Sequence, residues 1–189
     1  LIYLGLTVLE AVLLLLGGMS VFDAINHALT TMATGGFSTK QDSVAYFASP
    51  FIQYVIIVFM FLAGTNFTLT YFGLHGKLRK VWENEEFRYY FGFTIGFAVL
   101  ITVVVYVVTG DEFEVAFRNS LFQLVSIITT TGFVTADYTS WTPLLTVIFF
   151  MFMFIGASAG STAGGVKVVR HIILLKNSAM ELRRQLHPS

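Results

Sequence analysis

The sequence contains no cysteine, which excludes disulfide bonds, thiolate metal sites and cysteine nucleophiles together. Charged residues are scarce as well: they make up 12% of the 189 residues, against about 25% in an average soluble domain. The formal net charge is zero, so bulk electrostatics would attract neither a nucleic acid nor an acidic substrate. The chain is therefore neutral as a whole, and its positive and negative residues are concentrated in different segments.

Apolar residues are abundant instead. Hydrophobic residues account for 56% of the chain, and the mean hydropathy is +0.76. A helix that crosses a bilayer needs about 20 consecutive apolar residues, and a composition of this kind is typical of proteins built from such helices. The sequence therefore predicts an integral membrane protein surrounded by lipid.

A threonine-rich turn at residues 128–134 reads Ile-Thr-Thr-Thr-Gly-Phe-Val. Threonine is a poor lipid-facing residue, and Gly132 adopts a positive φ at no steric cost, so the stretch predicts a re-entrant backbone loop. Such a loop can direct several carbonyl oxygens toward one axis, and rings of carbonyls replace the hydration shell of the ion in potassium filters. A polar turn between two helices or strands is the alternative interpretation.

The same turn occurs a second time, nearer the N-terminus. The matching positions lie 96 residues apart: Thr34, Gly36, Phe37 and Thr39 in the first copy, and Thr130, Gly132, Phe133 and Thr135 in the second. Each copy is followed by a proline and then by an apolar run. The repeated unit is a whole hairpin, and internal repeats of this length in an apolar chain are typical of channel and transporter folds.

The first unit contains two predicted helices before its turn. Residues 1–16 form the end of an apolar helix that carries Glu10, a candidate ion-path or helix-pairing carboxylate. Ser20 and Asp23 have capping-box spacing and predict a short helix over residues 21–32. That helix would direct the negative end of its dipole at the first turn, where a partly dehydrated cation would be stabilised.

Two apolar runs predict helices that cross the membrane. Residues 51–74 follow Pro50 and are long enough to span, and residues 91–108 return in the opposite direction. Asp111 and Glu114 again have capping-box spacing, which predicts a helix that reaches about residue 128. The second unit therefore repeats the order of the first.

Charged residues are divided between the two predicted sides. The connector at residues 75–88 and the segment after residue 166 are basic, and short loops rich in lysine and arginine stay cytoplasmic. The predicted outer segments are acidic and form a mouth that would concentrate cations, with ordinary solvated loops as the alternative. There, Asp23, Asp42, Asp111, Glu112, Glu114 and Asp137 face only Lys40 and Arg118.

A glycine-rich stretch at residues 156–165 interrupts the last apolar run. Four glycines and three hydroxyl residues in ten positions disfavour a helix, and non-helical backbone in a membrane is tolerated where it lines a cavity. The main prediction is a hinge or gate made by Gly156, Gly160, Gly164, Gly165 and Lys167. The alternatives are close helix packing through GxxxG pairs, an incomplete phosphate loop, and a serine hydrolase that uses Ser158 with His171.

Three segments together resemble a known family: residues 33–39, residues 129–133, and the glycine-rich stretch with its extension Val-Lys-Val-Val-Arg up to residue 170. They resemble the TrkH-type membrane subunit of the Trk/Ktr/HKT potassium transporters over nearly the whole chain. The resemblance implies an all-α membrane protein of the bacterial inner membrane. It implies repeated helix, pore-helix, filter-loop and helix units around an ion pathway for potassium uptake.

The resemblance also implies site residues and partners. Potassium, the transported ion, would bind at the filter residues Thr34, Gly35, Gly36, Thr130, Thr131 and Gly132. The glycine-rich loop would act as the gate beneath them. A homodimer and a cytosolic nucleotide-binding regulatory ring are the implied protein partners, without a nucleic acid, an organic cofactor or an enzyme activity. A secondary transporter with a broken-helix substrate site is the alternative function.

Finally, the resemblance implies how the chain is divided. The family has four units in each chain, and the two units here resemble the second and third, so we expect a partial chain, with the assembly of two copies as the alternative. The first pore unit, with a truncated leading helix, covers residues 1–74, and a cytoplasmic connector covers residues 75–88. The second pore unit covers residues 89–176 and includes the loop at 156–165. A cytoplasmic tail at residues 177–189 ends the sequence.

Overall fold

The computed structural model describes residues 1–186. The last part of the predicted tail, residues 187–189, lies outside the described residues. Helices dominate the fold and confirm the all-α prediction: α1 Ile2–Leu16, α2 Val21–Met32, α3 Pro50–Ala63, α4 Phe67–Leu74, α5 Leu78–Glu83, α6 Glu85–Thr109, α7 Phe113–Ile128, α8 Pro143–Phe152 and α9 Val168–Leu186. Two short 3-10 helices, Ser43–Tyr46 and Tyr138–Ser140, lie in the loops after the repeated turns.

The first unit begins with a helical hairpin whose boundaries agree with the sequence pattern. The Ser20 hydroxyl accepts the backbone N–H of Asp23 at 3.1 Å, which starts α2 at the predicted residue. Two small residues on α2, Ala24 and Ala28, are fully buried, and Ala24 belongs to an apolar cluster to which α1 and α3 contribute. Glu10 is also fully buried, and its carboxylate has no hydrogen-bond partner among residues 1–186.

The predicted span over residues 51–74 is not one continuous helix. It consists of α3 and α4, which meet at an angle of 116° after a break at residues 64–66. Two contacts, one local and one with a distant segment, account for the break. The Asn66 side chain accepts the N–H of Thr68 at 2.8 Å and starts α4, and the carbonyl of Gly64 accepts the N–H of Ser158 at 3.0 Å. A distant part of the chain therefore completes the hydrogen bonding at the bend.

The long helix α6 corresponds to the predicted returning span and is the one helix in the described chain that is long and apolar enough to cross a membrane by itself. It is longer than the predicted run 91–108, because the Asn84 side chain accepts the N–H of Phe87 at 2.9 Å and caps it earlier. Gly110 ends it in the left-handed conformation, at φ 70°. The bent pair α3 and α4 would count as a second span if taken together.

The predicted capping box before α7 is wrong. The helix starts after Glu112, whose side chain makes no capping hydrogen bond. Glu114 instead accepts a hydrogen bond from Arg118 one turn later, with 2.9 Å between Nε and Oε1. The i, i+4 ion pair competes for the carboxylate that the capping box would need. The predicted end of the helix near residue 128 is confirmed.

The second unit closes around its own apolar core. Side chains of α6, α7 and α8 form one buried cluster that includes Ile101, Leu124 and Phe149, while α1, α2 and α3 form the other together with side chains of α7. Helix α3 packs against α7 and joins the two units. Beyond α8 the chain is non-helical, and a short parallel pair of strands, β1 Ile155–Gly156 and β2 Val166–Lys167, closes the glycine-rich stretch into a loop.

Candidate functional site

The two threonine-rich turns have the same unusual backbone conformation. In the first turn, φ is 50° at Thr34 and 64° at Gly36, and in the second it is 57° at Thr130 and 88° at Gly132. Positive φ at the glycines was expected, but the sequence pattern gives no indication of it at the threonines. A residue with a Cβ pays about 1–3 kcal/mol for such a conformation, and strain of this kind concentrates at functional sites.

Matching hydroxyl groups hold the two turns in place. The Thr30 hydroxyl donates to the carbonyl of Phe37 at 2.8 Å, and the Ser126 hydroxyl donates to the carbonyl of Phe133 at 2.7 Å. The carbonyls of the same two hydroxyl residues each accept a backbone N–H from their own turn, at 2.8 Å and 2.9 Å. Both pairs lie 96 positions apart, so the repeat could have identified these bracing residues.

The two turns lie side by side. A Cβ added at Gly36 would collide with the carbonyl oxygen of Thr131 and lie 3.1 Å from the carbonyl carbon of Gly132. Within residues 1–186, no donor hydrogen-bonds to the carbonyl oxygens of the six predicted filter residues, Thr34, Gly35, Gly36, Thr130, Thr131 and Gly132. Backbone carbonyls in proteins are normally paired, so this group of free oxygens is available to coordinate a cation.

Helix termini strengthen the negative potential at the turns. Helix α2 ends at Met32 and α7 ends at Ile128, so the C-terminal end of each helix leads directly into a turn. The C-terminal end of a helix carries a partial negative charge. Both helix dipoles therefore favour a cation at the free carbonyl oxygens.

The glycine-rich loop contacts both turns. The hydroxyl of Thr34 donates to the carbonyl of Thr162 at 3.0 Å, and the N–H of Gly164 donates to the hydroxyl of Thr130 at 2.7 Å. The Thr162 hydroxyl also reaches the carbonyl of Met32, at 3.0 Å. The loop therefore lies directly against the two threonines that begin the turns, on the side of the helix C-termini.

Conformation and space require glycine at several positions of the loop. Gly160 and Gly165 have φ of 72° and 68°, and a Cβ on Gly156 would collide with the carbonyl oxygen of Gly164. Lys167 follows the loop and donates from Nζ to the carbonyl of Ala163. The alternative of helix packing through GxxxG pairs is wrong, because residues 156–165 are not helical and their glycines contact one another within the loop.

The hydrolase alternative is also wrong. The Ser158 hydroxyl is fully buried and has no hydrogen-bond partner in the described part of the chain. The ring Nδ1 of His171 instead lies 3.3 Å from the carbonyl of Lys167. A serine nucleophile must be within hydrogen-bond reach of its base, and this pair is not hydrogen-bonded.

The basic residues of the predicted outer mouth are both paired. Lys40 Nζ lies 3.3 Å from Asp23, and Arg118 pairs with Glu114. The Thr39 hydroxyl donates to Asp23 Oδ1 at 2.5 Å and, together with Lys40, holds the pKa of that carboxyl below its ordinary value. The remaining acidic side chains are exposed and unneutralised by these two bases: Asp42, Asp111, Glu112 and Asp137. The mouth keeps an excess of negative charge.

Glu86 is a contact of the loop that the sequence pattern does not reveal. It belongs to the first turn of α6, and its Oε1 accepts the backbone N–H of Ala159 at 2.6 Å. The two residues are 73 positions apart, so only the folded chain brings them together. The two turns therefore bind the loop on one side, and the start of α6 binds it on another.

Comparison with known proteins identifies relatives of this chain. The family model for TrkH, described as a cation transport protein, matches residues 1–189. The Trk system potassium uptake protein TrkH of Salmonella typhimurium is 41% identical and aligns with 100% of this chain and 40% of its own length. The Trk system potassium uptake protein TrkG of Escherichia coli is 34% identical over 92% of this chain and 36% of its own length.

A solved structure matches the fold as well. The crystal structure of the potassium transporter TrkH from Vibrio parahaemolyticus superposes with a TM-score of 0.93 at 38% sequence identity. The match covers 99% of this chain and 41% of that one, so the chain spans about two fifths of the length of its relatives. The all-α fold, the bacterial inner-membrane location and the absence of an enzyme role in this transporter family are confirmed. The chain belongs to the TrkH family of cation transport proteins.

Proposed function

We propose that this chain forms part of a potassium uptake pathway and that its two turns, residues 34–36 and 130–132, are two walls of the selectivity filter. The observation that carries the proposal is the side-by-side placement of the two turns with their carbonyl oxygens free. Carbonyl dipoles can replace the water that a potassium ion loses on entry. The relatives named as potassium uptake proteins supply the choice of ion.

Two turns provide only part of a coordination shell. The chain corresponds to about 40% of its relatives' length, and further oxygen ligands would come from other units of the same protein. The proposed homodimer would place two such pathways side by side in one assembly. The exposed acidic residues of the mouth would raise the local potassium concentration before the ion enters.

The glycine-rich loop is the proposed gate. It contacts Thr34 and Thr130 directly, and its glycines hold conformations that other residues resist. Lys167 binds the loop through the carbonyl of Ala163, and its ammonium would repel an ion beneath the filter. Retraction of the loop would open the path and leave the filter unaltered. Gating and ion selectivity would then depend on different residues.

A regulatory ring is the proposed cytosolic partner. Four basic residues, Lys77, Arg79, Lys80 and Arg88, are exposed around α5 and the start of α6. Only Arg79 is partly neutralised on its own helix, by Glu83 at 2.7 Å. Such a surface suits an acidic face on a partner, and rim charges of this kind chiefly speed association.

A coupled secondary transporter is the second candidate function. The 116° break between α3 and α4 is the observation that favours it, since broken helices bind substrates and coupling ions in such transporters. The reversal potential of the full-length protein in liposomes separates the two functions. A potential that follows the potassium gradient alone supports the filter pathway, and one that also depends on a second ion gradient supports coupled transport.

The filter is tested by Gly132→Ser in the full-length protein. No atom lies within 4 Å of the added Cβ, so the change acts through the φ of 88° alone. We expect relative uptake of potassium over sodium to fall by about tenfold, which corresponds to 1.4 kcal/mol of altered ion binding. The matched control is Gly92→Ser on α6, where φ is ordinary and space is open. Unchanged selectivity in a well-folded Gly132→Ser protein would contradict the filter assignment.

A further inference from the structure

The start of α6 holds two parts of the proposed gate region at once. Glu86 accepts the N–H of Ala159 inside the glycine-rich loop at 2.6 Å. Its neighbour Glu85 pairs with Lys176 on α9, with 2.5 Å between Nζ and Oε1. Two consecutive carboxylates therefore bind the loop and the helix that follows the loop.

The bond from Glu86 differs from two neighbouring contacts of the loop. The N–H of Ser158 donates to the Gly64 carbonyl and the N–H of Val168 donates to the Ala157 carbonyl, so these contacts join backbone to backbone. Glu86 contributes a charged acceptor on a side chain, and hydrogen bonds to a carboxylate are roughly twice as strong as neutral ones. Its charge also attracts the ammonium of Lys167, which binds the other end of the loop.

The position of Glu86 connects the loop with the predicted cytoplasmic connector. Helix α6 starts directly after α5, and Asn84 between them caps α6 through the N–H of Phe87 at 2.9 Å. The exposed basic side chains of the connector are Lys77 just before α5, Arg79 and Lys80 on α5, and Arg88 near the start of α6. A rotation or shift of the connector would therefore move Glu86 with the first turn of α6, while Thr34 and Thr130 hold the loop from the filter side.

We propose that Glu86 is a latch that positions the glycine-rich loop in its closed state and releases it when the connector moves. The proposal rests on the proposed function of the loop as a gate. Opening would exchange the bond between Glu86 and Ala159 for hydration of both groups. A partner that binds the basic connector would change the position of α6 and thereby shift the loop between its two states.

The test measures potassium and sodium flux per folded molecule in liposomes, with the full-length protein. Glu86→Ala removes the acceptor and the charge, and Glu86→Gln keeps an acceptor oxygen and removes the charge alone. We expect Glu86→Ala to raise basal potassium flux by about tenfold, the scale of one lost charge-assisted hydrogen bond. Glu86→Gln should raise it less, and neither should alter selectivity. The matched control is Glu83→Gln, an exposed carboxylate on α5 that pairs with Arg79.

A labelling experiment separates a latch from a merely structural contact. A cysteine replaces Ser161 in the loop, in a protein otherwise free of accessible cysteine, and a water-soluble thiol reagent is added from the cytoplasmic side. With Glu86→Gln or Glu86→Ala, we expect the labelling rate to rise together with basal flux. If Glu86→Ala fails to fold, the same comparison is made with Glu86→Gln, which preserves the shape of the side chain.

The possible failures are distinguishable. Unchanged or reduced basal flux with unchanged labelling would overturn the latch, even where Gly132→Ser still damages selectivity and supports the filter. Loss of selectivity in Glu86→Gln would also overturn it, because a latch acts on the loop and leaves the filter intact. If neither Gly132→Ser nor the Glu86 variants change transport, the filter proposal fails together with the latch.

Discussion

At the scale of single residues, the conformation of the two proposed filter turns depends on side chains as well as on the backbone. Thr34 and Thr130 adopt positive φ, a conformation that threonine resists, so other contacts must hold them there. Their hydroxyls bond with the glycine-rich loop, and the hydroxyls of Thr30 and Ser126 hold the far end of each turn. Each turn is therefore fixed at both ends, which keeps the free carbonyls aligned.

The bracing role of Ser126 gives a residue-scale prediction. Ser126→Ala leaves the buried carbonyl of Phe133 without its donor, and a lost hydrogen bond of this kind costs about 1–3 kcal/mol. We expect lower thermal stability and weaker potassium over sodium selectivity in the full-length protein. Ser126→Thr keeps the hydroxyl and should restore both, as Thr30 does in the other unit. Full stability and selectivity in Ser126→Ala would show that the brace is dispensable.

At the scale of elements, the bend between α3 and α4 makes room for the loop. Gly64 sits at the bend, against Tyr90, Thr129 and Ala157, which come from α6, the second turn and the loop region. A straight helix through residues 64–66 would leave the N–H of Ser158 without the Gly64 carbonyl that accepts it. The bend in one unit and the loop in the other are thus parts of one packed junction.

The space at Gly64 is too small for a side chain. A Cβ there would lie 2.6 Å from the Tyr90 hydroxyl and 2.8 Å from the Thr129 side chain, both of them closer than real contacts. Gly64→Ala should therefore destabilise the protein by about 1–3 kcal/mol through overpacking. Gly73→Ala on α4 has open space and should be neutral or stabilising, since alanine favours a helix by up to about 1 kcal/mol. Thermal unfolding in detergent, with both variants compared with the wild type, provides the measurement.

At the scale of the whole molecule, the internal repeat is the feature that can be predicted most directly from the sequence. Local signals predict α2 correctly, because the capping residue Ser20 and the following turn lie close together in sequence. The pairing of the two turns was expected from their 96-residue spacing, since equivalent units face a shared axis. The bend at Gly64 and the bond from Glu86 to the loop could not be predicted in this way. Each depends on a partner more than 70 positions away, which no local pattern encodes.

The distribution of charge predicts the orientation of the molecule in the membrane. The basic connector at residues 75–88 and the basic residues of α9 lie at the same end of the fold, since Glu85 pairs with Lys176. The acidic residues Asp111 and Glu112 follow the other end of α6, since this 25-residue helix begins in the connector at Glu85 and ends at Thr109. Lysine and arginine in short loops remain on the cytoplasmic side, so the connector should be inaccessible from outside intact cells.

A cysteine introduced at Lys80 tests this orientation, because that side chain is exposed and distant in sequence from both turns. A membrane-impermeant thiol reagent added to intact cells should not label it, whereas the same reagent should label it readily after the membrane is opened. The matched position is Asp111, an exposed residue in the predicted outer loop, where a cysteine should be labelled in intact cells. The reverse result at both positions would invert the topology, and it would place the gate on the outer side of the filter and the acidic mouth inside.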